Sequence, residues 1–327
     1  MNDNRIVLKR TNKRDAGCFL LFVFLLPYVC ACLWGHVGEE MEILRRNKAG
    51  GGQTDTGYSV QVSMGWGIWE MPMEQYLVYK LESVMPEDYE NEALKAQAVL
   101  LRTELVQIYQ EQGGEQLRVS GSGMEKWYES HASEEELERY QRAVSETSGI
   151  YLCYEGSPVQ ASYFKVSNGQ TRDAEEVWKT QKCPYLTGVL CVQDKAAQDY
   201  ESEAAVSKAN YLYQIRSQIG EGYAQQDLWE NVHLTYDKAG YVTEVSFMSG
   251  EEEIGKIDGE TFRYLFDLPS ASFEMSREKM QMVFHVTGVG HGFGMSQYSA
   301  NSRALNGETY DQILEEFFFG TELAKFE

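Results

Sequence analysis

An uncharged segment near the start of the chain constrains this protein more than any other feature. Residues 16–35 contain no charged side chain, whereas residues 1–15 carry five basic and two acidic ones. Twenty residues of α-helix rise about 30 Å, which is about the thickness of the hydrocarbon region of a bilayer. The sequence therefore predicts one transmembrane helix at residues 16–35.

The flanking residues predict how the chain is arranged about this anchor. The basic side of a membrane helix stays in the cytoplasm, so residues 1–15 form a cytoplasmic tail and the chain after Gly35 lies outside. No clear small-residue cleavage site follows, which favours an uncleaved anchor. Residues 36–58 are polar and include Gly50-Gly51-Gly52, which is typical of a flexible linker. Residues 59–327 show no comparable break and are expected to form a single exported domain, giving a single-pass protein of the cell membrane.

The exported part is strongly acidic. The formal net charge of the whole chain is −21, and it becomes −24 once the basic tail and the anchor are set aside. This charge disfavours binding to nucleic acid or to anionic lipid headgroups. An uncharged polysaccharide would not be affected by it.

One amphipathic stretch predicts a long central helix. Proline removes an N–H group and restricts the preceding residue, so Met85-Pro86 should end the element before it. Asp88 or Asn91 can cap the next helix. Apolar residues then recur on one helical face and predict a helix at 91–110: Leu94, Ala98, Leu101, Leu105 and Ile108.

Short strands alternate with a few helices along the rest of the chain, which favours the α+β class with mostly antiparallel sheet. Further helices are expected at 133–147 and 205–219, and a short one at 175–179. Strands are expected at 60–69, 150–154, 159–166, 232–236, 242–248 and 282–286.

A glycine-rich run forms the second notable motif. Residues 288–294 hold four glycines around His291. Glycine permits positive φ angles and close approach of the backbone. The run therefore predicts a tight loop that places the imidazole beside a groove and presents backbone amides to a ligand, followed by a helix from Met295 through Ala304.

These motifs resemble those of the stage II sporulation protein D family, also called the amidase-enhancer family. The resemblance covers nearly all of residues 59–323, and its motifs follow the family's order. They are Tyr76-Leu77, Met85-Pro86, the run from Glu92 to Val99, Arg102-Thr103, Tyr163, Ser167, Gly169, Thr171, Val177-Trp178, Pro184-Tyr185-Leu186, Asp194 and the Gly-His-Gly-x-Gly-Met-Ser-Gln run at 290–297.

One position departs from the family pattern. Its sporulation members resemble lytic transglycosylases that cut peptide-free glycan strands, and their catalytic acid is the Glu before Met-Pro. Here that residue is Val84, which has no proton to donate. Glu82 is a weak substitute, since it shares a face with Val84 in a strand but points about 200° away in a helix. Glu87 and Asp88 follow the proline and are further candidates.

The rest of the family's groove is retained. The residues that the resemblance assigns to substrate binding are Gln97, Arg102, Tyr163, Ser167, His291, Ser296 and Gln297. This pattern favours a wall protein that binds peptidoglycan glycan strands with lost or reduced cleavage, in spore formation or engulfment. Two alternatives remain open: an active transglycosylase with a displaced carboxylate, and a scaffold that recruits or stimulates a wall amidase, with other sporulation membrane proteins as possible partners. We expect the Met85-Pro86 turn to face the His291 loop across the groove.

The sequence predicts no cofactor and no metal. Some family members bind zinc through a His/Cys cluster, but the corresponding region has only His131 and no nearby cysteine. Three cysteines lie outside the membrane segment, where a disulfide can persist. Of these, Cys183 and Cys191 are the favoured pair, and Cys153 is left over.

Overall fold

The structure is a computed structural model that describes residues 57–64, 67–121, 124, 134–220 and 228–326, without the side chains of 134–136. All of these residues belong to one unit, Asp55–Glu327. The predicted anchor at 16–35 lies outside the described residues. Among the helices that are described, none is both long and apolar enough to cross a membrane.

The predicted α+β class is confirmed. The strands are β1 (Ser59–Met64), β2 (Gly67–Pro72), β3 (Leu117–Ser120), β4 (Ile150–Tyr154), β5 (Ser157–Pro158), β6 (Tyr163–Phe164), β7 (Glu201–Ser207), β8 (Val232–Tyr236), β9 (Val242–Ser249), β10 (Glu252–Asp258), β11 (Phe273–Glu278), β12 (Gln281–Thr287), β13 (Met295–Ser296) and β14 (Glu322–Lys325). The helices are α1 (Met73–Val84), α2 (Asn91–Glu111), α3 (Glu134–Glu146), α4 (Ala174–Trp178), α5 (Lys208–Ile219), α6 (Gly259–Leu265), α7 (Gln297–Leu305) and α8 (Tyr310–Phe317).

The long helix α2 is confirmed and packs centrally, against α1, α3, α7, α8 and β4. Its apolar face is buried, and Ala93, Ala96 and Ala98 are buried as well, so neighbouring elements can approach closely. The proposed caps were wrong. Glu90 is the N-cap residue and makes no side-chain cap, and Asn91 already belongs to the helix. The Glu90 amide donates to Asn301 Oδ1 at 2.7 Å, so a residue from a distant part of the chain binds the start of the helix.

Most strand pairs are antiparallel, as predicted, but three segments differ from expectation. Residues 60–69 form the hairpin β1–β2 and not one strand. The expected strand at 159–166 is reduced to β6, which pairs in parallel with β13, whereas β5 ends before it at Pro158. Residues 205–207 continue β7, so the helix predicted from 205 begins at Lys208. In each case the partner is a strand that local periodicity does not reveal.

The second half of the chain builds a separate apolar cluster. Strand β12 lies between β11 and β7, and β9 lies between β10 and β8. Helices α5 and α6 pack against these sheets. The cluster is rich in aromatic rings: Tyr211, Trp229, Phe247, Phe262, Phe273 and Phe284.

The three cysteines in the described residues are free thiols, so the favoured Cys183–Cys191 pair is not formed. The Cys191 Sγ group is buried and lies 3.6 Å from the Val189 carbonyl oxygen. The Cys183 Sγ group accepts from the Tyr185 hydroxyl at 3.7 Å. The two thiols thus have different partners.

Candidate functional site

Val84 is the last residue of α1, and its side chain is half-buried. Met85 follows in an extended conformation as the C-cap, since a helix cannot continue comfortably into Pro86. The Val84 carbonyl accepts a hydrogen bond from Gln297 Nε2 at 3.1 Å. The position of the family's acid therefore lies at a helix end that contacts the start of α7.

The helical geometry bears on the first substitute carboxylate. Glu82 and Val84 lie two residues apart in α1, so their side chains point about 200° apart around the helix axis. The charge of Glu82 contributes to the raised pKa of Tyr79, after the larger effect of burial. Glu82 therefore points away from the Val84 side chain and towards Tyr79.

Two side chains of α3 hold the loop from Met85 to Glu90. The Tyr140 hydroxyl donates to the Met85 carbonyl at 3.0 Å, and Arg139 donates to the carbonyls of Glu87 and Tyr89. Glu87 and Asp88 are exposed on this loop. These contacts fix the backbone of the loop at Met85, Glu87 and Tyr89.

Gln97 and Gln297 form a buried amide pair beside Val84. Gln297 Nε2 donates to Gln97 Oε1 at 3.1 Å as well as to the Val84 carbonyl. Both side chains are buried. The Nε2 group of Gln97 has no hydrogen-bond acceptor among the described residues. A polar residue at position 84 would therefore lie near the Gln97 Nε2 group, a buried donor without an acceptor among the described residues.

Arg102 is fully buried and bonded within the protein. Its guanidinium binds the Glu74 carboxylate through two hydrogen bonds of 2.8 and 2.6 Å, and it also donates to the carbonyls of Val144 and Ile150. Removing one partner of a buried ion pair costs about 3–5 kcal/mol. In this structure Arg102 thus fastens α2 to α1, α3 and β4, and it presents no donor to the surface.

Asp194 organises two other residues of the predicted site. Its buried carboxylate accepts from the Ser167 amide at 2.6 Å, from the Ser296 hydroxyl at 2.7 Å and from the Ser299 hydroxyl at 2.6 Å. Ser167 and Ser296 are themselves buried. The sequence showed Asp194 only as one residue of a motif, and its polar neighbours Gln193 and Lys195 gave no sign that it is buried.

The glycine-rich run is shaped by close packing. At Gly292 the φ angle is +84°, and an added Cβ would lie 2.6 Å from the Tyr241 ring. At Gly294 it is +74°, and a Cβ would lie 2.0 Å from the Ser162 carbonyl oxygen. Several amides of the run bind the protein's own carbonyls, at Tyr200, Val166, Pro269 and Ser162. These amides, from Gly288, Val289, Gly290 and Met295, are therefore not presented to a ligand as expected.

His291 is neutral and fixed in orientation. The Phe293 amide donates to His291 Nδ1 at 3.1 Å, so the proton resides on Nε2. The pKa of His291 is lowered from its usual 6.5 to about 4, chiefly because burial disfavours the imidazolium and also because Arg263 and Arg172 are near. A hydrogen bond to the Tyr163 backbone acts in the opposite direction. The half-buried ring packs beside Phe164, with a centroid distance of 5.6 Å.

Tyr163 lies in β6, next to the glycine-rich run. Its side chain is half-buried, and burial raises its pKa, with smaller contributions from Glu104 and Tyr76. Of the seven residues assigned to substrate binding, Tyr163 and His291 alone are half-exposed. The other five are buried: Gln97, Arg102, Ser167, Ser296 and Gln297. The structure joins the glycine-rich motif to Val84 through Gln297 and not through the imidazole.

Sequence reasoning missed a polar surface group beside the 85–90 loop. Asp199, Tyr298 and Asp88 all raise the pKa of Tyr89, after the effect of its burial. Lys165 binds Asp199 at 3.2 Å, and the Lys165 carbonyl accepts from the Tyr298 amide. In the sequence, the only indication that Lys165 belongs near the site is its position two residues after Tyr163. In the part of the chain that is described, no group of three or more His, Cys, Asp or Glu side chains could hold a metal ion, and His131 lies outside that part.

The fold and the site define an α+β protein in which a helix end, a buried glutamine pair and a glycine-rich His loop meet at one region. A family model described as "Stage II sporulation protein" matches residues 66–154. Stage II sporulation protein D of Bacillus subtilis is 30% identical over 268 residues, which is 78% of this chain and 75% of that protein. The same protein of Bacillus amyloliquefaciens gives the same identity and coverage. The chain belongs to the stage II sporulation protein D family.

A more distant relative is the amidase enhancer of Bacillus subtilis. It is 24% identical over 286 residues, which is 74% of this chain but 39% of that protein. The family resemblance drawn from the motifs is thus confirmed over most of the chain.

Proposed function

We propose that this chain is a membrane-anchored cell-wall protein that binds peptide-free peptidoglycan strands and cleaves them slowly or not at all. The names of its relatives, a sporulation protein and an amidase enhancer, support a wall role during sporulation.

The observation that carries the proposal is Val84 at the end of α1. A general acid must donate a proton to the glycosidic oxygen, and valine has none. Glu82 points to another side of α1 than Val84 does. Glu87 and Asp88 are exposed on a loop whose backbone is hydrogen-bonded to α3. Meanwhile the groups around position 84 are ordered, including the Gln97–Gln297 pair. A retained framework without its acid favours binding over cleavage.

The test uses the full chain in detergent solution, incubated with peptide-free glycan strands. We expect the strands to bind without gaining anhydro-sugar ends in mass spectrometry. Val84→Glu should produce those ends, because a positioned general acid contributes about 10²- to 10⁴-fold to rate. Val84→Gln is the matched control, since it has the same size but no carboxylic proton.

Anhydro-sugar ends made by the unaltered chain as fast as by Val84→Glu would contradict the proposal. Substituting Glu82, Glu87 and Asp88 in turn would then identify the displaced acid. If neither the unaltered chain nor Val84→Glu binds strands, glycan binding itself is wrong. Co-purification with a wall amidase would then favour the scaffold function, which the amidase-enhancer relative suggests.

A further inference from the structure

A four-layer stack of side chains rises from the protein interior beside the His291 loop. Arg172 lies between two rings, with its guanidinium carbon 5.0 Å from the Tyr241 centroid and 4.7 Å from the Phe293 centroid. Trp178 then packs on Phe293, with ring centroids 4.5 Å apart and an angle of 33° between the planes. The stack therefore begins at a buried tyrosine and ends at a tryptophan.

The inner part of this stack is fixed. Arg172 is buried and binds Asp237 at 2.7 Å and Glu260 at 2.9 Å, and it also donates to the His291 carbonyl. Phe293 is only 5% exposed. A guanidinium between two rings is stabilised by the negative faces of both. The outermost ring is thus carried on a rigid support.

Trp178 is the exposed end, with 42% of its surface accessible. It is the last residue of α4, whose N-cap Asp173 accepts from the Glu176 amide. Lys179 then takes a left-handed conformation with φ 51°, which ends the helix and fixes where the indole is placed. The His291 ring lies 6.1 Å from Phe293, so the indole stands at the edge of the candidate site.

We propose that Trp178 is a stacking platform for a pyranose ring of the glycan strand, an inference that rests on the proposed function. Aromatic faces suit sugar rings because the axial C–H groups of a pyranose make one face apolar. Trp178 offers such a face, because its ring is exposed and packs on the buried Phe293 ring.

The first test needs no substitution. The full chain in detergent is treated with N-bromosuccinimide, with and without peptide-free glycan strands, and oxidation at Trp178 is measured by peptide mass spectrometry. We expect strands to protect Trp178 several-fold. Bound strands that leave its oxidation unchanged would overturn the inference.

The second test measures binding by Trp178→Ala. Loss of one stacked ring should weaken binding about tenfold, whereas Trp178→Phe should stay within about threefold of the unaltered chain. Tyr213→Ala is the matched control, because Tyr213 is 70% exposed on α5, outside the stack, and its loss should change nothing. Denaturant unfolding of each variant checks that the fold is retained.

The outcomes separate the two proposals. Strand binding that Trp178→Ala retains in full would overturn the stacking platform and leave the proposed function intact. No strand binding by the unaltered chain would overturn both.

Discussion

At the scale of single residues, the surroundings of Val84 show how buried polar groups order one another. Val84 occupies the position that the resemblance assigns to the family's acid. Gln297 bonds to both the Val84 carbonyl and Gln97. The resemblance assigned Arg102 to substrate binding, but its guanidinium donates to Glu74 and to two backbone carbonyls. Burial of a polar residue thus points to a partner inside the protein as readily as to a ligand.

His291 leads to a prediction about pH. Its pKa of about 4 in the folded chain lies below the usual 6.5, so the unfolded chain takes up a proton first as the pH falls. The stability that this residue contributes is therefore complete above about pH 6.5 and is lost between there and pH 4, amounting to about 3 kcal/mol. Denaturant unfolding at several pH values should show a shallower loss for His291→Gln.

The matched control is His285→Gln, since His285 lies on the exposed face of β12 with half of its side chain accessible. The loss of stability between pH 6.5 and 4 is compared among His291→Gln, His285→Gln and the unaltered chain. If His291→Gln keeps the slope of the unaltered chain, the imidazole is not held neutral by the fold.

At the scale of elements, two segments create the site. The α1–α2 pair brings Val84 and Gln97 together, and Glu74 with Arg102 fixes the two helices. The glycine-rich run lies along residues 162–168, with the Met295 amide bonded to the Ser162 carbonyl. Its glycines allow two backbone segments to touch, which then places α7 against α2.

The close contact at Gly294 predicts a large cost for an added methyl group. Gly294→Ala would strain a positive φ angle, which costs about 1–2 kcal/mol, and would press Cβ against the Ser162 carbonyl oxygen. We expect it to lower the free energy of unfolding by about 2–5 kcal/mol in all, because overpacking adds about 1–3 kcal/mol. Urea unfolding followed by circular dichroism measures the change.

Gly307→Ala provides the comparison. Its φ angle is +89°, but nothing lies within 4 Å of an added Cβ. Gly307→Ala should lower the free energy of unfolding only by the cost of the positive φ angle, about 1–2 kcal/mol. Equal losses at the two positions would show that the Gly294 contact relaxes easily.

How well the sequence predicts a helix or strand depends on whether the residues that stabilise it are close to it in the chain. The helix α2 was predicted almost to the residue, because its periodicity and the preceding proline are local signals. The hairpin β1–β2 and the short strand β6 within residues 159–166 were not predicted, since strand pairing depends on the partner. The side-chain cap proposed for α2 is not formed, and the Glu90 amide bonds to Asn301, which is far along the chain.

For the whole molecule, the proposed anchor and the acidic exported part lead to a prediction in cells. The full chain should remain with membranes after washing with high salt and alkaline carbonate, because about 20 apolar residues bind bilayers by burial and not by charge. A chain that starts after residue 35 should be released. Fractionation and immunoblotting test this.

Protease added to cells stripped of their wall should digest the part of the chain that follows the anchor and spare residues 1–15, since the basic side stays inside. Recovery of the full chain in the soluble fraction would refute the anchor. Protection of the acidic part from protease would reverse the proposed orientation.

The sequence by itself determined the class of fold, the central helix, the family and the missing acid at Val84. These rest on local periodicity, on proline and glycine, and on the order of short motifs. Only the tertiary structure decided which polar residues serve the protein itself. Ser296 bonds to Asp194 across 102 residues, and Gln297 bonds to Val84 across 213. A residue type shows that a hydrogen bond is needed, but only packing of distant segments shows which partner supplies it.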